Sequence, residues 1–116
     1  MDHTILVVDD DKQIAELVAA LLLEEGYCVR CAFDGRQALR EIERDPPGLV
    51  ISDVMMPQLD GVSLTQQIRR RGLRTPVVLM SAVYADVDIP GVRFVPKPFD
   101  LDYIVAVVKR VLEEAA

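Results

Sequence analysis

The 116-residue sequence predicts an α/β fold: one doubly wound, five-stranded parallel sheet with helices on both faces. Short, β-branched apolar runs alternate with stretches whose apolar residues recur at helical spacing. Four of the five apolar runs stop at an aspartate, a serine or a Pro-Lys-Pro segment. The length suits a single domain large enough to bury its core without a disulfide or metal staple.

Thr4-Ile5-Leu6-Val7-Val8 is the first run, uniformly apolar as a strand covered on both faces should be. Ile14, Leu17, Val18, Leu21 and Leu22 then follow helical spacing and form one core-facing side of a helix from Lys12 to Glu25, closed by Gly26. Tyr27-Cys28-Val29-Arg30-Cys31 is a second strand of mixed polarity. Asp34 can cap a helix bearing Ala38, Leu39 and Ile42, which Asp45-Pro46-Pro47-Gly48 breaks. Leu49-Val50-Ile51-Ser52 is a third strand and ends at Asp53. After a loop, Asp60 caps a helix with Leu64 and Ile68 inward and Gly72 at its end. Val77 to Met80 is a fourth strand ending at Ser81, and Val92 to Val95 a fifth, halted by Pro96-Lys97-Pro98. Leu101, Ile104, Val105, Val108 and Leu112 mark a last helix that runs to Glu113. The first, third and fourth strands are uniformly apolar and central; the second and fifth carry arginines and lie at the edges. Order 2-1-3-4-5 satisfies this polarity and the right-handed crossover rule, giving a flavodoxin-like sheet.

Composition narrows the function. A hydrophobic content of 51% excludes a disordered chain, and no apolar run approaches the ~20 residues of a membrane span. The amino-terminal residues lack a secretory signal pattern, so the expected location is cytoplasmic. A net charge of −6 argues against direct nucleic-acid binding and against an anionic membrane, both of which need surplus positive charge. Cys28 and Cys31 on one strand point to opposite faces, about 10 Å apart, too far for a disulfide.

Ligands of such sheets bind at the carboxyl ends of the strands, near the switch in strand order. There the first strand presents Asp9-Asp10-Asp11, the third Asp53, the fourth Ser81 and the fifth Lys97. Two carboxylates about 5 Å apart repel by roughly 3 kcal/mol at an effective dielectric of about 20, so a cation or a proton must relieve the cluster. An acidic, all-oxygen, water-accessible site suits Mg²⁺ or Mn²⁺. A metal, a lysine and an oxygen nucleophile are the parts of phosphoryl transfer, with Asp53 the most central nucleophile candidate.

The chain resembles the response-regulator receiver domains of two-component phosphorelay systems. The resemblance rests on Ile5 to Asp11, on Val50-Ile51-Ser52-Asp53-Val54-Met55-Met56-Pro57 with Asp60-Gly61, on Leu79-Met80-Ser81-Ala82, and on Val95-Pro96-Lys97-Pro98-Phe99. It implies one receiver domain over residues 1–116. It implies that Asp53 accepts a phosphoryl group from a histidine kinase or phosphotransfer protein, and that the domain catalyses only its own phosphorylation and dephosphorylation. By the same resemblance Asp9, Asp10, Asp53 and the backbone carbonyl of Met55 hold Mg²⁺ (or Mn²⁺). Lys97 contacts the phosphoryl oxygens, Ser81 moves toward them, Phe94 packs differently in the two states, and the Lys97–Pro98 bond is cis.

The segment between Ser81 and Phe94 has 12 residues, contains Pro90-Gly91 and shows no helical stripe. The fourth helix usual in receivers is therefore expected to shrink to about a turn or to become a loop. The chain ends at Glu113-Glu114-Ala115-Ala116, which fits a stand-alone receiver or the receiver part of a longer hybrid kinase. Two further readings compete. One is an interaction module that keeps the fold without turning over phosphate. The other is a small phosphatase, disfavoured because Met55 stands where a second acid would be needed.

Overall fold

The computed structural model describes residues 4–82 and 89–115. The described residues form β1 (Thr4–Val8), α1 (Lys12–Glu24), β2 (Cys28–Ala32), α2 (Gly35–Arg44), β3 (Leu49–Asp53), α3 (Gly61–Arg70), β4 (Val77–Ser81), β5 (Val92–Pro96) and α4 (Leu101–Ala115). The strands make one parallel sheet in the order β2-β1-β3-β4-β5, the order expected from the polarity of the runs and the crossover rule. No described helix is long and apolar enough to cross a membrane.

Aspartates start three of the helices. Asp11 accepts from the N–H groups of Gln13 and Ile14, Asp34 from Gln37, and Asp60 from Ser63. Each satisfies donors that have no partner within the helix. The Gln37 side chain also reaches back to accept the Phe33 N–H at 2.9 Å, so both sides of the α2 start are fixed.

Two apolar layers flank the sheet. One joins Ile5, Val7, Ile51 and Met80 to Ala15, Val18 and Leu22 of α1 and to Ile104 and Val108 of α4. The other joins Leu6, Val8, Val50 and Leu79 to Ala38 and Ile42 of α2 and to Leu64 and Ile68 of α3. Alternation along each buried strand divides its side chains between the two layers.

Three expectations need correction. Strand β2 begins at Cys28 rather than Tyr27, because the Tyr27 N–H closes α1 by donating to the Leu22 carbonyl. Helix α4 continues past Glu113 to Ala115. Leu17, expected in the core, is 54% exposed. The buried side of α1 is Ala15, Val18, Ala19 and Leu22, so the helix lies on its alanines and Leu17 turns outward. Cys28 is exposed, Cys31 is half-buried, and both are free thiols.

The expectation of a shortened or missing helix between β4 and β5 falls on residues 83–88, outside the described residues. The chain enters β5 through a turn in which the Val92 N–H donates to the Ile89 carbonyl, with Gly91 at φ +77°. Arg69 secures this turn, giving Nε and Nη2 to the Pro90 carbonyl and Nη1 to those of Leu73 and Thr75.

Candidate functional site

The carboxyl ends of β1, β3, β4 and β5 come together at one edge of the sheet. Asp9 follows β1 and Asp53 ends β3, two strands paired through Val8 and Ser52. Asp9, Asp10 and Asp53 each offer a carboxylate oxygen, and these oxygens all lie within 4.8 Å of one another. Asp11, the third acid of the run, turns away to cap α1. The sequence cluster therefore divides into two site residues and one helix cap.

Burial sharpens the electrostatics. Asp9 is 1% exposed, Asp53 is largely buried and Asp10 is exposed. One oxygen of Asp9 accepts the Asp11 N–H at 2.9 Å. The other, Oδ2, is buried and has no hydrogen-bond partner among the described residues. Burial pushes the Asp9 carboxyl above its ordinary range; the Asp11 N–H opposes this, and the negative charge of Asp53 adds to it. On the opposite side Lys97 places Nζ 3.2 Å from Asp53 Oδ2. At 4.8 Å each carboxylate pair repels by roughly 3 kcal/mol at an effective dielectric of about 20, and one lysine does not neutralise three acids. A buried, unpaired oxygen in an all-oxygen acidic set is what a hard divalent cation would satisfy, so these residues fit Mg²⁺ or Mn²⁺.

The remaining expected residues take distinct places. Ser81 ends β4 and is buried, one position beyond Met80, the register partner of Asp53. Its carbonyl accepts the Lys97 N–H at 2.8 Å, which ties β4 to the segment carrying the lysine. The Lys97–Pro98 peptide is cis. Met55 stands two residues past Asp53 with its side chain 70% exposed, and its N–H lies 3.4 Å from Asp53 Oδ1. Phe94 pairs in register with Leu79 and is half-buried against the layer of α2 and α3. It lies on the sheet beside the site and not in the acidic cluster.

Two residues that shape the site were given no individual role in the sequence reading, although both fall within its motifs. Gly61 packs its α-carbon against the Asp53 carbonyl; a Cβ there would collide with that oxygen and crowd the Val54 Cα at 3.0 Å. Ser52 is fully buried and donates its hydroxyl to the same carbonyl at 2.9 Å. The available signal for Ser52 was its hydroxyl, alone in the run Leu49-Val50-Ile51.

The raised pKa of Asp9 sets a measurable cost. A carboxyl whose folded value exceeds its unfolded one supports the fold below the ordinary carboxylate range, and that support is lost as pH rises through the folded value. Above the ordinary carboxylate range Asp9 therefore costs the metal-free protein stability. Asp9→Asn should raise the melting temperature in chelator-treated buffer at pH 7 by about 4 °C, the equivalent of about 1 kcal/mol for a domain of this size. The gain should vanish near pH 3, where the wild-type carboxyl is protonated. A variant that melts at or below wild type at pH 7 contradicts this account of Asp9.

Comparison with known proteins identifies the family. A family model described as the response regulator receiver domain matches residues 5–109. The regulatory protein VanRc of Enterococcus gallinarum is 41% identical over 115 residues, an overlap of 94% of this chain and 49% of that protein. The response regulator MprA of Mycolicibacterium vanbaalenii is 39% identical over 118 residues, covering 97% of this chain and 51% of the relative. The chain thus spans about half the length of these curated relatives. Among solved structures, the Francisella response regulator 1452 receiver domain superposes with a TM-score of 0.89 at 30% identity, covering 99% of this chain and all of that one. The receiver domain of the hybrid histidine kinase CckA gives 0.83 at 36% identity, covering 94% and 98%. With the family model spanning nearly the whole chain and this sheet order beneath it, the chain belongs to the response-regulator receiver domain family.

Proposed function

We infer that this receiver domain is a phosphorylatable signalling switch whose acceptor is Asp53 and whose phosphorylation requires Mg²⁺. One observation carries the reading: three carboxylates converge within 4.8 Å at the strand ends, with the Lys97 ammonium 3.2 Å from the central one. Asp9, Asp10, Asp53 and the Met55 carbonyl would hold the metal. When bound, it supplies positive charge that offsets the acids and the phosphoryl oxygens.

An oxygen of Asp53 attacks the phosphorus of a phosphohistidine on a kinase or phosphotransfer protein. A P–O bond forms to Asp53 as the P–N bond breaks, and the imidazole leaves. Lys97, already beside that carboxylate, shifts its ammonium to the phosphoryl oxygens and stabilises the charge they carry in transfer. Water attacking phosphorus reverses the mark, releasing phosphate and restoring the carboxylate. The phosphoryl group adds charge and acceptor oxygens that Lys97 and Ser81 bond in one arrangement of their loops only. That differential contact shifts the equilibrium between arrangements, with Phe94, on the neighbouring strand, as the packing readout.

The donor protein has a surface to meet beside Lys97. Ile14, Leu17 and Val18 of α1 face Pro98, Phe99 and Leu101 across an apolar groove of about 470 Å³. Incubation with acetyl phosphate and Mg²⁺ tests the chemistry without the unknown kinase. Intact mass should show one phosphoryl group per chain, and chelation should prevent its appearance. A chain left unmodified by saturating donor and metal contradicts the reading.

A further inference from the structure

Strand β3 is buried from end to end, and its fourth residue is a serine. A buried hydroxyl is costly unless it is bonded, and alanine or valine would suit the apolar strand better. By alternation Ser52 points to the face of Val50, opposite to the Asp53 side chain. Its Oγ is spent on the Asp53 carbonyl at 2.9 Å, and it lies 4.0 Å from Met56 Sδ.

That carbonyl belongs to the peptide unit immediately after the phosphoacceptor. The N–H of the same unit, from Val54, donates to the Met80 carbonyl of β4 at 2.9 Å. The unit is therefore held at both ends. On one flank Gly61 closes against the carbonyl so tightly that a Cβ has no room. The Gly61 N–H then fixes the next carbonyl, of Val54, at 2.8 Å. Rotation of the unit would change ψ at Asp53 and φ at Val54, and would swing Met55 and its N–H away from Asp53 Oδ1.

We propose that Ser52 is a positioning residue for Asp53: its hydroxyl locks the peptide unit that joins the acceptor to Val54, and so holds the carboxylate in line for transfer. The inference rests on the phosphoacceptor reading of Asp53 for its consequence, and on the hydrogen bonds alone for the lock.

Two variants and two readouts test it. Ser52→Ala removes the hydroxyl. Ser52→Cys keeps most of the volume but leaves only a weak donor. In both, the metal-free protein should exchange the Val54 amide about tenfold faster, while amides in the middle of α4, such as Val108, keep their wild-type rates. In both, phosphorylation by acetyl phosphate at saturating Mg²⁺ should slow about tenfold, as expected for a loosened reacting group. Unchanged exchange at Val54, faster exchange in step with Val108, or wild-type behaviour of the cysteine variant would overturn the proposal. A wild-type chain that takes up no phosphoryl group would defeat the phosphoacceptor reading instead, and Val54 exchange would still decide whether Ser52 holds the peptide.

Discussion

Asp53→Asn should abolish phosphorylation by acetyl phosphate, lowering the rate more than about a thousandfold, with no other residue taking up the group. Asparagine keeps the size of the side chain and one carbonyl oxygen, but it is uncharged and is a poor nucleophile. Asp9 and Asp10 do not substitute for it. Asp9 is 1% exposed and already bonded to the Asp11 N–H, and Asp10 lies at the solvent side of the cluster, whereas the Lys97 ammonium is paired with Asp53. The substitution should leave the fold intact. It removes one of three mutually repelling carboxylates, which offsets the loss of the ion pair with Lys97. A melting temperature within a few degrees of wild type, together with complete loss of the mass shift, is the expected pair of results. A phosphoryl group retained in the asparagine variant would place the acceptor elsewhere.

Lys97→Met carries the second largest effect. The lysine stem is covered and its ammonium is 3.2 Å from Asp53, so methionine replaces the length of the chain and removes only the charge. Preorganised charge aimed at a transferring group is worth about 10²–10³ in rate, and phosphorylation should slow by that factor at saturating Mg²⁺. The carboxylate cluster also loses the cation paired with Asp53. Mg²⁺ binding should therefore tighten in the variant, the opposite of the change in rate. A titration that finds both metal affinity and phosphorylation unchanged would remove Lys97 from the site.

Much of this was legible before any coordinates. The strand order followed from polarity and the right-handed crossover rule, because Arg30 and Arg93 mark the edge strands and the uniformly apolar runs mark the centre. Once the order is set, the strand ends must bring Asp9 and Asp53 together, so the acidic cluster was a consequence of topology. Asp11 was harder, since a cap and a metal ligand look alike in sequence; only its bonds to the Gln13 and Ile14 amides separate it from its neighbours. Leu17 misled because a helical stripe defined by large apolar residues ignores alanine. Ala15 and Ala19 let α1 lie close to the sheet, which rotates the buried side away from Leu17. Tyr27 was assigned to a strand because its side chain suits one, whereas its N–H is taken by the end of α1. The roles of Ser52 and Gly61 were hidden for another reason. They depend on backbone atoms of residues 53 and 54, and backbone contacts leave no periodic trace in a sequence.

The central claim is that Asp9, Asp10, Asp53 and Lys97 form one pocket for a divalent ion and a phosphoryl group. Titration of the wild-type protein with Mg²⁺ and then beryllofluoride, followed residue by residue by NMR, tests it most directly. The account predicts saturable binding of one Mg²⁺ that shifts the signals of Asp9, Asp10 and Asp53, followed by a beryllofluoride step that moves Ser81 and Lys97 and is lost in Asp53→Asn. Signals at these residues that stay still through both additions, or that move equally in Asp53→Asn, would contradict it.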